Sequence, residues 1–150
     1  VIAQNSYYGE SIYTMLTPKR KPKVLIADDN HINAILLKTI LEDEDCKIET
    51  SLDGQEALDK LTDGLEQSKP YDLIFTDEHM PTLSGSEVIE RYRATESRYD
   101  SHKSIVAISI TGNPNMEDKE KKLYDMIVEK PFEKSTIQEA FYQAIRLPQG

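Results

Sequence analysis

Residues 72–85 read Asp72-Leu-Ile-Phe-Thr-Asp77-Glu-His-Met-Pro81-Thr-Leu-Ser-Gly85, and this stretch decides the fold. Leu73, Ile74 and Phe75 form a short apolar run without polar alternation, which predicts a strand covered on both faces. The run closes on Asp77. Pro81 and Gly85 then punctuate a loop, and Ser84 with Glu87 three residues on has the sequence form of a capping box. Asp77 is thereby placed at the carboxyl end of a buried parallel strand, the edge where open α/β sheets hold their ligands. Taken alone, an Asp at a strand end is most often a turn or cap residue. The rest of the chain overturns that reading.

Working outward, the same unit recurs. Val24 to Ala27 is an unbroken apolar run ending in Asp28-Asp29-Asn30. Ile32, Ile35, Leu36 and Ile40 follow at helical spacing and predict the buried face of a helix running to about Glu42. Lys47 to Ser51 is a brief strand candidate, and Asp53 with Glu56 caps a helix through Ala57, Leu58, Leu61 and Leu65. The helix that follows the opening stretch turns Val88, Ile89 and Tyr92 inward, and the polar residues 94–103 read as a loop. Ile105 to Ile110 is the next apolar run, ending at Thr111-Gly112-Asn113.

Asn113, with Pro114 at the first helical position, predicts the start of a fourth helix. That helix is mostly charge, with Met116, Leu123 and Tyr124 to bury. Ile127-Val128 makes the last strand, ending in Glu129-Lys130-Pro131, and Ser135 with Gln138 caps a final helix whose stripe is Ile137, Ala140, Phe141, Ala144 and Ile145. Five strands alternating with five helices predict an α/β fold, a doubly wound parallel sheet with helices on both faces, because parallel strands need crossovers.

The 150 residues suffice for one domain with a full core, and 38% hydrophobic with 30% charged residues is an ordinary globular balance. The domain is expected over 23–147. Residues 1–22, with Tyr7, Tyr8, Tyr13 and the run Pro18-Lys19-Arg20-Lys21-Pro22, read as a linker or docked tail, and 148–150 as a C-terminal tail. The chain starts at Val1, as an excised or processed piece of something longer would. A net charge of −9 argues against a nucleic-acid or anionic-membrane surface as the main business. No apolar run approaches the ~20 residues that span a bilayer, and no signal-peptide pattern is visible. Cys46 is the single cysteine, so no intrachain disulfide can form. A reducing, cytoplasmic location is expected.

Three strands thus end in charged groups: Asp28 and Asp29, Asp77, and Lys130. Parallel strands present their carboxyl ends on one edge, where these groups can converge. Two unit charges 4 Å apart repel by about 4 kcal/mol even at an effective dielectric of 20. A hard dication relieves such a cluster, and oxygen ligands with open positions suit Mg²⁺. With Mg²⁺ and Lys130 the formal charge sums to zero. The bland alternative is a solvated acidic rim with Lys130 as a surface ion pair.

The joint pattern resembles the receiver domains of two-component response regulators. Asp28-Asp29-Asn30 carries the resemblance together with Asp77 followed by Met80-Pro81 and Gly85, a hydroxyl near Thr111-Gly112-Asn113, and Lys130-Pro131-Phe132. Asn33 is similar to the version found in receivers attached to hybrid histidine kinases. The resemblance implies a flavodoxin-like (βα)5 fold with strand order 2-1-3-4-5. It implies that Asp77 accepts a phosphoryl group from a phosphohistidine on a histidine kinase or phosphotransfer protein. It also implies Mg²⁺ held by Asp29, Asp77 and the main-chain carbonyl of His79, with Asp28 acting mostly through water, Lys130 offsetting the phosphoryl charge, and possible receiver dimers.

A carboxylate is already ionised at neutral pH, so Asp77 needs no general base. Thr111, followed by Gly112, is expected to sense the phosphoryl group in preference to Ser109, which is followed by bulky Ile110. Two features depart from the family pattern: Ile127 where an aromatic residue is frequent three positions before the lysine, and no Gly-containing turn before Met126. A Mg²⁺-dependent phosphohydrolase with an aspartate nucleophile is the main alternative; it would want an acid two residues beyond Asp77, where His79 stands. A flavin or nucleotide module is a poor fit, because Asp28-Asp29 repels phosphate where such a module welcomes it.

Overall fold

The computed structural model describes residues 20–99, 103–113 and 115–146. The expected tail up to residue 19, Pro114 and the expected C-terminal tail lie outside the described residues. Strands β1 (Lys23–Ala27), β2 (Lys47–Ser51), β3 (Leu73–Asp77), β4 (Val106–Thr111) and β5 (Met126–Glu129) alternate with helices α1 (His31–Glu42), α2 (Gly54–Glu66), α3 (Gly85–Glu96), α4 (Asp118–Lys121) and α5 (Lys134–Arg146). The strands form one sheet in the order β2-β1-β3-β4-β5, and every neighbouring pair is parallel. This is the expected doubly wound sheet.

Burial along each strand follows its place in the sheet. The central strands β1, β3 and β4 are buried almost throughout, whereas the edge strands β2 and β5 alternate. Val24, Ile26, Phe75 and Ile108 pack against α1 and α5 through Leu37, Leu41 and Phe141. On the other face Leu25, Ile74 and Ala107 meet Ala57 and Leu61 of α2 and Val88, Ile89 and Tyr92 of α3. Among the described residues no helix is long and apolar enough to cross a membrane.

Several local expectations change. In α1 the buried residues are Ala34, Leu37, Ile40 and Leu41, while Ile32, Ile35 and Leu36 are 76%, 62% and 46% exposed. The helix carries two apolar stripes, and the one packed on the sheet is that of Ala34, Leu37, Ile40 and Leu41, while Asn30 caps the helix start at Ile32 N and Asn33 N. The third helix runs through Glu96, so the loop expected from residue 94 starts later.

Helix α4 is a single turn with no buried residue, not a helix starting at Asn113. Asn113 closes a local turn instead, its Oδ1 accepting from Asn115 N. A short segment without an apolar face gains little from packing, which is what stabilises most helices. Helix α5 begins at Lys134, so Ser135 lies inside its first turn, and Gln138 reaches across to Glu44 rather than back to a cap. Ile145, expected inside, is exposed.

Candidate functional site

The site lies on the carboxyl edge of β1, β3 and β5. Strand β1 ends at Ala27, so Asp28 and Asp29 leave the sheet together. The main chain turns at once, with Asp28 N donating to Ser51 O and Asn30 N to Asp28 Oδ1 at 2.9 Å. Asp77 ends β3 opposite Ile110. Lys130 follows β5, and its main-chain N–H donates to Thr111 O at 2.7 Å. The Lys130–Pro131 peptide is cis.

These elements bring the predicted groups together. Asp28, Asp29 and Asp77 each offer a carboxylate oxygen within 4.8 Å of the others. Lys130 Nζ lies 3.6 Å from Asp77 Oδ1 and 4.0 Å from Asp28 Oδ2. Asp28 is 1% exposed, and its Oδ2 has no hydrogen-bond partner. Burial pushes the Asp28 carboxyl above the usual carboxylate range; the Asn30 N–H opposes that, and the Asp77 charge adds to it. Three carboxylates and one ammonium leave a formal charge of −2. This all-oxygen donor set, one oxygen buried without a partner, fits a hard divalent cation.

The loop after Asp77 is held by its own bonds. Ser84 and Glu87 form the expected capping box at the start of α3. Gly85 N donates to Glu78 O at 3.0 Å. A Cβ at position 85 would lie 2.5 Å from Asp77 O and 2.8 Å from the Tyr124 hydroxyl, so only glycine lets α3 start this close to β3. The His79 side chain is exposed and stands apart from the three carboxylates, beside a cavity of about 220 Å³ shared with Glu78, Thr111 and Asn113.

Ser109 and Thr111 flank the level of Asp77, because Asp77 pairs with the residue between them. Both are buried. Thr111 Oγ1 accepts from Asn113 N at 3.0 Å, whereas Ser109 Oγ has no hydrogen-bond partner.

Two neighbours of the site were not singled out from sequence. Glu78 is buried directly after Asp77, and the Tyr124 hydroxyl donates to its Oε1 at 2.9 Å. An acid in an acid-rich loop gives no sequence signal of burial. The apolar Tyr124 signals burial but not its partner.

A cavity of about 700 Å³ opens on the opposite, amino edge of the sheet, with Arg20, Lys21, Lys23, Lys47, Lys69 and Lys103 among its lining. Three of these cations are engaged locally. Arg20 pairs with Asp72, Lys21 with Asp45, and Lys23 lies over the Tyr71 ring and donates to Lys69 O.

Comparison with known proteins agrees with this geometry. The family model described as "Response regulator receiver domain" matches residues 24–142. Hybrid signal transduction histidine kinase L of Dictyostelium discoideum is 34% identical over 120 residues, covering 78% of this chain and 7% of that protein. The chain therefore spans only a small part of this curated relative. The receiver domain of sensor histidine kinase PA1611 from Pseudomonas aeruginosa PAO1, solved with a magnesium ion coordinated in its active site cleft, superposes with a TM-score of 0.70 at 22% identity, covering 84% of this chain and 98% of that one. The receiver domain of Ssk1, solved with the histidine phosphotransfer signaling protein Ypd1 of Saccharomyces cerevisiae, gives 0.67 at 25% identity over 80% and 86% of the two chains.

Proposed function

This chain belongs to the response regulator receiver domain family, the phosphoacceptor modules of two-component phosphorelays, and from that premise we propose that Asp77 takes the phosphoryl group. The observation that carries the assignment is the convergence of Asp28, Asp29 and Asp77 within 4.8 Å, with Lys130 Nζ 3.6 Å from Asp77. An Asp77 oxygen attacks the phosphorus of a phosphohistidine, the P–N bond breaks, the P–O bond forms, and the imidazole leaves. Asp28 is buried, whereas Asp29 is exposed and the Asp77 side chain is 13% accessible, so a donor can reach Asp77.

The obstacle is the approach of two anions, and charge compensation in a preorganised site removes it. Lys130 supplies one positive charge. Asp29, Asp77 and the main-chain carbonyl of His79 would hold Mg²⁺, with Asp28 acting through water. Bound there, the cation would offset charge on the phosphoryl oxygens. The magnesium-bearing receiver of the Pseudomonas sensor kinase lends support by fold.

The donor we propose is a histidine phosphotransfer protein or a histidine kinase, and the parent protein one of the hybrid histidine kinase type. Ile32, Ile35 and Leu36 stand exposed on the first turns of α1, next to Asp28-Asp29 in sequence, and support apolar docking beside the site. The Ssk1 receiver's complex with a phosphotransfer protein gives a precedent for such a partner.

A small-molecule phosphodonor with Mg²⁺ should add one acid-stable, base-labile phosphoryl group by intact mass, and Asp77→Asn should abolish the gain. Independently, Mg²⁺ should shift amides near residues 28–30, 77–80 and 130, and Asp29→Asn should remove that response. Undiminished phosphorylation in the Asp77 variant would overturn the assignment.

A further inference from the structure

Glu78 presents a problem the phosphoacceptor role does not solve. It is 8% exposed, it follows Asp77 directly, and among the described residues no cation pairs with its carboxylate. A buried carboxylate without a counter-charge persists only when hydrogen bonds satisfy it. Here the donors are Ser86 N to Oε1 at 3.0 Å, the Ser86 hydroxyl to Oε2, and the Tyr124 hydroxyl to Oε1 at 2.9 Å. Two of the three come from the start of α3, which the loop reaches anyway. The third comes from 46 residues further along the chain.

Tyr124 is not an incidental donor. It lies between α4 and β5, and the segment 115–124 has few anchors. Helix α4 buries none of its four residues, and only Met116 and Tyr124 are buried in that segment. Leu123 N and Tyr124 N donate back to Glu120 O and Lys121 O, which joins Tyr124 to the single turn of α4. The buried Ser109 hydroxyl, on the strand next to β3, lies beside that of Tyr124. The Tyr124 hydroxyl thus gives the phosphoacceptor loop a direct polar hold on the least packed element of the fold. Elements with so few apolar attachments open at low cost, and a small displacement at one hydrogen bond can move them.

We propose that Glu78 and Tyr124 are positioning residues, through which the phosphorylation state of Asp77 reaches α4. The carboxylate of Glu78, fixed to Ser86 on one side, passes the adjustment of residues 77–80 to Tyr124 on the other. This rests on Asp77 being the phosphoacceptor. What matters is the acceptor oxygen and its geometry rather than the charge, since a glutamine would offer Oε1 to the same Tyr124 and Ser86 donors.

The test is to saturate the protein with beryllofluoride and Mg²⁺ and follow amides by NMR, alongside phosphoryl uptake by intact mass. In the native chain both the 77–80 loop and residues 115–124 should shift, and so should the Tyr124 ring resonances. Tyr124→Phe keeps the ring and removes only the hydroxyl. It should take the phosphoryl group within about twofold of the native rate, with the response of 115–124 cut at least threefold. Glu78→Gln should retain that response, and Glu78→Leu should lose it.

A native-like response in Tyr124→Phe, or its loss in Glu78→Gln as in Glu78→Leu, overturns the proposal. So does a Tyr124 ring that stays unshifted in the native chain while the loop responds, a reading that needs no variant. Failure of the native chain to accept any phosphoryl group would instead remove the phosphoacceptor reading itself.

Discussion

Asp28 is 1% exposed and its Oδ2 has no hydrogen-bond partner, so ionising it in the metal-free protein puts charge where water scarcely reaches. Burial raises its pKa in the folded state. The folded chain then binds a proton more readily than the unfolded chain, and stability falls as pH rises from the ordinary Asp value, about 3.9, through the raised folded value. Asp28→Asn should stabilise the metal-free protein by roughly 1–2 kcal/mol at neutral pH. The gain should shrink as pH drops through that window, as thermal melts in a chelator at several pH values will show. A loss of stability at neutral pH would mean that the pairing with Lys130 outweighs the cost of burial.

The sensing role proposed for Thr111 fits its hydrogen bonds. Thr111 Oγ1 accepts from Asn113 N, and its own proton reaches only Asn113 O at 3.5 Å, so it can donate to an incoming phosphoryl oxygen without losing the Asn113 N–H. The Ser109 hydroxyl lies beside that of Tyr124. With Asp77 phosphorylated in each case, Thr111→Ala should suppress the shift of residues 115–124 and Ser109→Ala should leave most of it. The opposite outcome moves the role to Ser109.

Among the elements, α1 presents apolar side chains on two sides. Ala34, Leu37, Ile40 and Leu41 seat it on the sheet, and Ile32, Ile35 and Leu36 face outward. An apolar cluster left exposed beside a charged site marks a surface for another protein. Ile35→Glu should barely change stability, because surface substitutions usually stay within about 0.5 kcal/mol. It should weaken binding to the phosphotransfer protein proposed as partner tenfold or more, equivalent to about 1.4 kcal/mol. Uptake from a small-molecule donor should continue unchanged. Equal loss with both donors would place Ile35 in the fold rather than in docking.

In α5, by contrast, two outward polar groups are engaged. The Tyr142 hydroxyl and the Gln138 amide both donate to Glu44, fastening this helix to the turn after α1.

Over the whole molecule, the fold separates charge along the strand direction. Acids gather at the carboxyl edge and cations around the cavity at the amino edge. In a chain of net charge −9, the three-carboxylate cluster is the grouping among the described residues close enough to hold a divalent cation. Anything that binds the native state alone raises its stability, by about 2.7 kcal/mol at one hundred times the dissociation constant. Mg²⁺ should therefore raise the melting temperature of the native chain well beyond the effect of NaCl at equal ionic strength. Asp29→Asn should lose most of that difference. An identical rise in both proteins would indicate general screening rather than a site.

The apolar runs 24–27, 73–75 and 105–110 determined the central strands by themselves, because a strand covered on both faces needs no polar alternation and leaves no other period to read. The first two of these runs placed Asp28, Asp29 and Asp77 at strand ends, the short run Ile127-Val128 did the same for Lys130, and parallel pairing makes those ends neighbours. Where the sequence carried two answers, only tertiary contact chose. In α1 both stripes are apolar, and packing on the sheet selected the one through Leu37. Around α4 the charged residues promised a longer helix, but no apolar face was there to hold one. Glu78 shows the limit most clearly. Its burial depends on Ser86 and Tyr124 arriving from two other parts of the chain, and the free energy that keeps a carboxylate out of water comes from those donors rather than from any local pattern.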